Sequence, residues 1–252
     1  MSDGGLIEQD RGDGVRVVAL DRAPANALTA GFLLSIAERF DELAEDASAR
    51  AVVLTGREGV LSAGMDLKRL PQLDRAGQDA AIHALNRCYG GLYGFPKPLI
   101  AAVNGHAVAG GLFFALVADW RIGAAGGARF GLSEVKVGAP FPIGALEIAR
   151  AELDSATFRR MLLGGGLVGV EEALAAGVLD EIVAGPELEA RAVAAARERA
   201  ASPPDAYARI KRQMRAGVLD RVARAVTDLD EPQLGGWLDP QTPEAIKRVL
   251  AR

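Results

Sequence analysis

Apolar and polar positions along the chain predict strands and helices in alternation. Short β-branched or apolar runs predict strands over 15–21, 51–54, 99–103, 120–123 and 178–183. Apolar residues spaced three and four apart predict intervening helices over 29–43, 78–92, 145–151, 156–163, 171–176 and 186–200. Because strands that alternate with helices usually pair in parallel, the pattern predicts an α/β core.

The last fifty residues show helical spacing only, after a boundary signal at Ser202-Pro203-Pro204. Helices are predicted there over 205–215, 219–230 and 243–252. We therefore divide the chain into a core, 1–200, and a C-terminal helical region, 201–252. The apolar faces of these helices must pack on something, which is either the core of the same chain or a neighbouring subunit.

The segment 98–120 lies at the centre of the predicted core. A buried strand ends at the turn signal Asn104-Gly105, and Gly110-Gly111 then precede a second apolar run that ends near Ala118. Two glycines at the start of a helix let a ligand approach the backbone, where free N–H groups point at it. Such a site stabilises negative charge that develops on an oxygen.

Composition narrows the classes of function. Of 252 residues, 50% are hydrophobic and 25% are charged, which is typical of a globular protein with a large core. The net charge of -4, without a basic cluster, gives no indication of a nucleic-acid or membrane partner. A single cysteine, a polar N-terminus and no long apolar run lead us to expect a cytoplasmic protein without disulfides or membrane spans.

Candidate catalytic groups are few. His83, His106 and Cys88 are the only histidines and cysteine, which leaves little from which to build a zinc cluster or a Cys–His nucleophile pair. We therefore expect chemistry based on carboxylates, backbone dipoles or hydroxyls, with no metal.

Five motifs follow one another in order: LSAGMDLK at 61–68, NGHAVAGG at 104–111, ADWRIG at 118–123, FGLSEVKVG at 130–138 and EEALAAGVLDEIV at 171–183. Together they resemble the crotonase, or enoyl-CoA hydratase/isomerase, superfamily over roughly residues 15–215. The resemblance implies a crotonase-like spiral of strand-strand-helix turns with a C-terminal helical region, assembled as a homotrimer or a dimer of trimers. It also implies an acyl-CoA thioester as ligand, with coenzyme A as part of the substrate and no separate cofactor.

The same resemblance implies a set of site residues. The backbone N–H groups of Met65 and Gly110 would form an oxyanion hole for the thioester carbonyl, and loss of one such donor costs about 10²–10³ in rate. Residues implied to contact the substrate or its CoA moiety are Ala25, Ala27, Ala63, Gly64, Asp66, Leu67, Lys68, Gly111 and Phe113, with Lys211 near the CoA phosphates.

The number of carboxylates at two of these motif positions decides the expected reaction. Hydratases of the family use two glutamates, because water must be deprotonated by one group while another delivers a proton. Here Glu134 stands at the second position, but Phe113 stands at the first and cannot hold a water. One carboxylate in apolar surroundings, with a raised pKa, can move a proton from C2 to C4 and convert a 3-enoyl-CoA into a 2-enoyl-CoA.

This pattern resembles the 3,2-trans-enoyl-CoA isomerases most closely. Dienoyl-CoA isomerases would require acids where Phe113 and Pro142 stand. Two alternatives stay open: a non-catalytic acyl-CoA binder, and a hydratase or C–C-cleaving crotonase that uses another carboxylate, such as Glu147.

Other polar residues have simpler interpretations. Without the motifs around it, Glu134 in a strand–loop setting would be a solvated or ion-paired carboxylate. Asp66 and Asp119 are expected to bond backbone N–H groups rather than do chemistry. His106 is a minor candidate for ligand contact because it lies near the two glycines.

Overall fold

A computed structural model describes residues 5–57, 59–228, 230–234, 237, 239 and 241–251. Its main sheet has six strands in the order β1-β2-β3-β5-β7-β9. The strands of this sheet are β1 (Leu6–Asp10), β2 (Val15–Leu20), β3 (Ala51–Thr55), β5 (Leu99–Val103), β7 (Trp120–Ala124) and β9 (Glu181–Val183). Pairing is parallel from β2 onward, with Val52 opposite Leu99 and Ile100 opposite Trp120, whereas β1 joins β2 antiparallel.

A second, three-stranded parallel sheet contains β4 (Val60–Ser62), β6 (His106–Val108) and β8 (Phe130–Gly131). The sequence pattern did not predict these strands, because two or three residues are too few to show a period. Their small size matters for function, since each one ends where the chain turns into a loop or short helix of the candidate site.

The helices have the following bounds: α1 (Ala30–Glu45), α2 (Arg75–Tyr93), α3 (Phe113–Leu116), α4 (Glu134–Val137), α5 (Ile143–Glu152), α6 (Ser155–Gly164), α7 (Val170–Ala175), α8 (Leu188–Ala200), α9 (Pro204–Thr227) and α10 (Gln241–Leu250). Thr29 caps α1 as expected, since its side chain accepts the N–H of Phe32. Within the described ranges, we find no helix with the length and apolar character needed to cross a membrane.

Three successive turns of the chain each supply one strand to each sheet and then a helix. They are β3–β4–α2, β5–β6–α3 and β7–β8–α4. This arrangement confirms the predicted spiral of strand-strand-helix turns in an α/β core.

The main sheet is buried on both faces. Side chains alternate along each strand, so Val53 and Ile100 pack with α8 on one face, while Val52 and Leu54 join the larger core on the other. The larger core includes the predicted apolar face of α1, which is fully buried. Burial on both faces explains why the central strands are almost continuously apolar.

Some predicted boundaries are wrong. The strand predicted over 178–183 is confined to Glu181–Val183, because 178 and 179 instead bond back to Ala173 at the end of α7. Strand β1 was missed because four of its five residues are exposed at the sheet edge and carry little apolar signal. Glu134 begins a short helix rather than lying in a strand–loop setting.

The helices predicted over 205–215 and 219–230 are one helix, α9, which ends at Thr227 rather than at 230. Gly217 does not interrupt it, because buried side chains on both sides, including Arg215 and Val218, hold the helix against the core. An interior glycine costs only about 1 kcal/mol relative to alanine, which such packing offsets. Helix α9 packs on α2 and α5, so this part of the tail covers the core of its own chain.

Candidate active site

A cavity of about 230 Å³ lies between the loop after β4, the turn after β6 and the segment from α4 to α5. It brings together Met65, Gly110, Phe113 and Glu134, which come from three separate segments of the chain. The other side chains that line it are mostly apolar. They include Leu67, Leu70, Leu85, Tyr89, Val137, Phe141, Ala145, Trp237 and Val249.

Gly110 belongs to a short 3₁₀ turn, Ala109–Leu112, that follows β6 and leads into α3. The first N–H groups of such a turn have no acceptor within it and are free for a ligand. A Cβ on Gly111 would come within 2.1 Å of the carbonyl oxygen of Ser62, so only glycine lets the turn lie this close to β4. Gly111 thus allows close packing of the turn against β4, and its predicted contact with the substrate stays a prediction.

Met65 lies on the neighbouring loop. The N–H of Leu28 donates to Gly64 O at 2.8 Å, and the N–H of Asp66 donates to Leu28 O at 3.0 Å. These two bonds hold the loop on either side of Met65, whose own N–H has no protein acceptor among the described residues. Gly64 has φ +83°, and a Cβ there would lie 3.0 Å from the nitrogen of Gly110. The loops that carry the two predicted N–H donors are therefore in direct contact.

Glu134 is the first residue of α4, and its side chain lines the cavity. Its Oε2 is shielded from solvent and has no hydrogen-bond partner among the described residues. Burial raises the pKa of this carboxyl to about 7, although nearby backbone N–H groups partly offset the effect. The simpler interpretation of Glu134 as a solvated or ion-paired carboxylate is therefore wrong.

Phe113 is only 1% exposed and begins α3. Its ring stacks on Tyr89 at 5.1 Å between centroids and meets the edge of Phe141 at 6.5 Å. An aromatic cluster thus occupies the place where the resemblance would put the first hydratase glutamate. Glu134 is the one carboxylate among the described residues that line the cavity.

Glu147 does not supply the missing carboxylate. It is not among the residues that line the cavity, and it pairs with Arg150 and Arg221, each at 2.6 Å. The alternative that placed Glu147 in the reaction is therefore wrong. His106 also lies outside the cavity lining, and its Nδ1 accepts the N–H of Arg129.

The turn that contains Ala25 and Ala27 lies beside the Met65 loop. The N–H of Ala63 donates to Ala25 O at 3.0 Å, and the buried Asn26 side chain donates to the carbonyls of Val60 and Leu61. Sequence reasoning missed this role of Asn26, because a buried asparagine in a turn looks the same in sequence as an exposed one. Of the predicted contact residues at 25, 27, 63 and 64, Ala63 lines the cavity, and substrate contact by the other three stays a prediction.

Asp66 has the structural role expected of it. Its Oδ1 accepts the backbone N–H groups of Lys68 and Arg69 at 3.1 and 3.3 Å, which shapes the loop after Met65. Leu67 lines the cavity, whereas Lys68 is exposed beyond it. The exposed ammonium of Lys68 remains available for a charged group at the mouth.

Lys211 does not lie with these residues. Its ammonium group is buried, where it binds Asp119 at 2.8 Å and donates to Lys97 O at 3.1 Å. Burial lowers its pKa to about 8. Because the charge is held inside the protein beside a different cavity, the structure gives no support to the predicted contact with CoA phosphates.

Tyr89, Phe141, Trp237 and Val249 line the cavity but were not predicted to do so. The helical spacing over 78–92 places Tyr89 on the apolar face of its helix, but no local pattern shows where its hydroxyl points. Trp237 is distant in sequence from the motifs and is held at the cavity by a tertiary contact, in which its Nε1 donates to Pro140 O at 2.8 Å.

Comparison with known proteins identifies the family. The family model described as enoyl-CoA hydratase/isomerase matches residues 10–234. The chain belongs to the enoyl-CoA hydratase/isomerase family. Its crotonase fold is the one seen in the crystal structure of human mitochondrial delta3-delta2-enoyl-CoA isomerase, with a TM-score of 0.92 and 27% identity. That match covers 99% of this chain and 98% of the human chain.

Sequence relatives within the family carry names of both activities. The chain is 33% identical over 208 residues to the probable enoyl-CoA hydratase EchA17 of Mycobacterium tuberculosis, which covers 82% of this chain and 77% of that protein. It is 31% identical over 220 residues to human enoyl-CoA delta isomerase 1, mitochondrial, which covers 86% of this chain and 72% of the human protein. Sequence similarity therefore places the chain in the family without separating hydratase from isomerase.

Proposed function

We propose that this family member is a 3,2-enoyl-CoA isomerase, which moves a double bond of an acyl-CoA from C3 to C2. The observation that carries the proposal is Glu134, the single carboxylate among the described residues that line the cavity, placed among apolar side chains with Phe113 at the position of the first hydratase glutamate. Membership of the enoyl-CoA hydratase/isomerase family, whose members act on acyl-CoA substrates, also supports the proposal.

The reaction begins with the thioester oxygen bound by the N–H groups of Met65 and Gly110. Glu134 removes a proton from C2, and the electron pair moves into the conjugated system to form a dienolate. The two N–H donors stabilise the negative charge on the oxygen of this dienolate. Because the donors belong to the backbone, they need no reorganisation when the charge develops.

The second half of the reaction returns the same proton. Glu134, now a neutral acid, donates it to C4, the C3–C4 double bond character is lost, and the C2–C3 double bond forms. No water is added, and the net change is the movement of one proton from C2 to C4 through Glu134. A carboxyl with a pKa of about 7 serves both steps, because neither its base nor its acid form is strongly favoured near neutral pH.

Product analysis by mass spectrometry tests the proposal, with 3-hexenoyl-CoA and crotonyl-CoA offered side by side. We expect 2-hexenoyl-CoA from the first substrate and no hydrated product from the second. Glu134→Gln should lower isomerisation by about 10²–10⁴-fold, because the proton carrier is lost while the shape is kept. Binding of an acyl-CoA, measured by calorimetry, should persist in this variant.

Glu42→Gln provides the matched control, since Glu42 is an exposed, ion-paired glutamate on α1. It should keep wild-type turnover. Normal turnover by Glu134→Gln would overturn the proposed role of this residue. A hydrated product that contains solvent oxygen would identify a hydratase, and binding without any product would identify a non-catalytic acyl-CoA binder.

We also propose that the chain assembles as a homotrimer or a dimer of trimers in the cytoplasm. An exposed apolar strip on α9 supports assembly, because Ile210 and Met214 lie one turn apart on this helix and are 56% and 80% exposed. Surfaces of this kind are typical of contacts between subunits.

A further inference from the structure

Tyr89 joins the helix α2 to the turn that carries Gly110. The residue is fully buried and lines the cavity, and its hydroxyl donates to the carbonyl oxygen of Gly110 at 2.7 Å. The mechanism described above does not use this contact. Its position next to one of the two N–H donors raises the question of what it contributes.

The turn has an unusual need for an external anchor. Ala109 has φ +51°, a left-handed conformation that is unfavourable for any residue with a side chain. Gly110 and Gly111, which follow it, are the residue type with the greatest backbone freedom. A strained residue followed by two permissive ones keeps a single conformation only when its surroundings impose it.

Two contacts impose the conformation. Gly111 is held sterically against Ser62, and the Gly110 carbonyl accepts the hydroxyl of Tyr89 in addition to the N–H of Phe113 within the turn. The Phe113 bond moves with the turn, whereas Tyr89 belongs to a 19-residue helix outside it. Tyr89 therefore ties the Gly110 peptide to a rigid part of the protein.

The Tyr89 ring is itself fixed. It stacks on Phe113 at 5.1 Å and meets the edge of Phe114 at 5.7 Å, so the hydroxyl has little freedom to leave the Gly110 carbonyl. Burial raises the pKa of the phenol well above its usual range, and the hydroxyl stays a hydrogen-bond donor at any working pH.

We propose that Tyr89 is a positioning residue of the oxyanion hole. By holding the carbonyl of Gly110, it limits rotation about the Gly110 backbone and keeps the N–H group aimed at the thioester oxygen. Accurate placement of such donors matters because small errors in their geometry reduce stabilisation of the transition state. The rate effect rests on the proposed isomerase function, whereas the effect on the bound thioester does not.

The same helix offers a matched control. Tyr93 lies one turn further along α2, is also buried, and donates its hydroxyl to Glu152 at 2.8 Å. Its contacts lie outside the candidate active site, beside the cavity that contains Lys211. Tyr89→Phe and Tyr93→Phe thus each remove one hydrogen-bonded hydroxyl from a tyrosine of α2, and only the first is connected to Gly110.

The experiment compares both variants with the wild type in two assays. The first measures kcat and KM for 3-hexenoyl-CoA. The second records the absorption spectrum of bound 2,4-hexadienoyl-CoA, because N–H donors that polarise a conjugated thioester shift its absorbance to longer wavelength. Thermal unfolding shows whether each variant is folded, and calorimetry shows whether it binds 2,4-hexadienoyl-CoA.

We expect Tyr89→Phe to lower kcat about tenfold, less than the 10²–10³-fold cost of deleting a donor outright, with KM changed by no more than about twofold. The red shift of the bound thioester should shrink in this variant, while Tyr93→Phe keeps the wild-type kcat and the full shift. A loss of kcat and of red shift in Tyr89→Phe alone, with KM nearly unchanged, would not arise from a general loss of stability.

The inference is overturned if Tyr89→Phe binds the probe with the full red shift, or if Tyr93→Phe shows the same losses. The spectral assay separates this outcome from failure of the proposed function. Should the wild type fail to isomerise but still shift the spectrum in a Tyr89-dependent manner, the isomerase proposal fails and the positioning role stands. If the wild type isomerises 3-hexenoyl-CoA normally but does not shift the absorbance of bound 2,4-hexadienoyl-CoA, only the positioning role is overturned.

Discussion

At the scale of single residues, the candidate site depends on the contrast between Glu134 and Phe113. Both line one cavity, but Phe113 belongs to an aromatic cluster with Tyr89 and Phe141, whereas Glu134 has a buried oxygen with no hydrogen-bond partner in the described part of the chain. Native proteins seldom leave a buried polar atom unsatisfied, and such atoms often mark a functional site. Phe113 occupies the position at which a hydratase would have its other glutamate, and burial raises the pKa of Glu134.

The raised pKa of Glu134 predicts the pH dependence of activity. Because the base must be deprotonated to accept a proton from C2, kcat/KM should rise about tenfold per pH unit well below pH 7 and level off above it. Initial rates with 3-hexenoyl-CoA across this range check the prediction. A profile that is already flat from about pH 5 would show that the carboxyl titrates at its ordinary value.

Stability provides a second measure of the same pKa. The folded state holds the Glu134 proton more tightly than the unfolded chain, so the free energy of unfolding falls as pH rises from about 4.5 to about 7. The Glu134→Gln variant has no titratable group at this position, so its free energy of unfolding does not fall for this reason as the pH rises. Relative to the wild type, the variant should gain about 3 kcal/mol between about pH 4 and about pH 8, measured by urea denaturation.

At the scale of elements, the site is a contact between two loops that follow short strands of the second sheet. The loop after β4 carries Met65, and the turn after β6 carries Gly110. Positions 64 and 111 let these segments approach, since a Cβ at Gly64 would lie 3.0 Å from the Gly110 nitrogen and a Cβ at Gly111 would lie 2.1 Å from Ser62 O. The spacing of the two proposed N–H donors therefore depends on glycine, which has no side chain, at both positions.

Gly111→Ala tests this dependence. The new methyl group would overlap backbone that cannot move freely, so the turn must shift away from β4. We expect a loss of about 1–3 kcal/mol in the free energy of unfolding, typical of overpacking, and a fall in kcat of at least tenfold because Gly110 is displaced. Denaturant titration and steady-state kinetics measure the two effects.

Gly127→Ala is the control for this substitution. A Cβ at Gly127 would have nothing within 4 Å, and its backbone has no positive φ. Stability and turnover should therefore stay close to those of the wild type. Equal behaviour of the two variants would show that the close approach at Gly111 does not govern the site.

At the scale of the whole molecule, a buried ionic cluster ties the long helix α9 to the main sheet. Asp119, just before β7, accepts the N–H of Leu99 and the hydroxyl of Tyr207, and it pairs with Lys211 at 2.8 Å and Arg215 at 3.1 Å. The expectation that Asp119 is structural is confirmed. Lys211 belongs to this cluster, which explains its absence from the active site.

Asp119→Asn should destabilise the protein by about 3–5 kcal/mol, because it leaves Lys211 and Arg215 buried without their anionic partner. Urea denaturation gives this value. The exposed pair Glu244–Lys247 serves as comparison, and Glu244→Gln should cost no more than about 1 kcal/mol. A loss below about 1 kcal/mol in Asp119→Asn would show that the cluster does not hold α9 in place.

Much of the molecule was accessible from sequence because the relevant signals are local or recur in a fixed order. The apolar face of α1, its Thr29 cap and the strand–helix alternation depend on residues a few positions apart. The five motifs identified the family, and the positions of Glu134 and Phe113 within them are the basis on which we propose an isomerase. Short strands and the continuity of α9 were missed, because pairing and packing outweigh local pattern there.

The sequence by itself determined the α/β spiral and the residue types at the motif positions, because periodicity and motif order are properties of the chain. Only the tertiary structure decided which of those residues meet. It brought Met65, Gly110 and Glu134 to one cavity, turned the hydroxyl of Tyr89 toward Gly110, and buried Lys211 against Asp119. Contacts between distant segments and the burial that shifts a pKa arise only when the chain is packed, which no local pattern encodes.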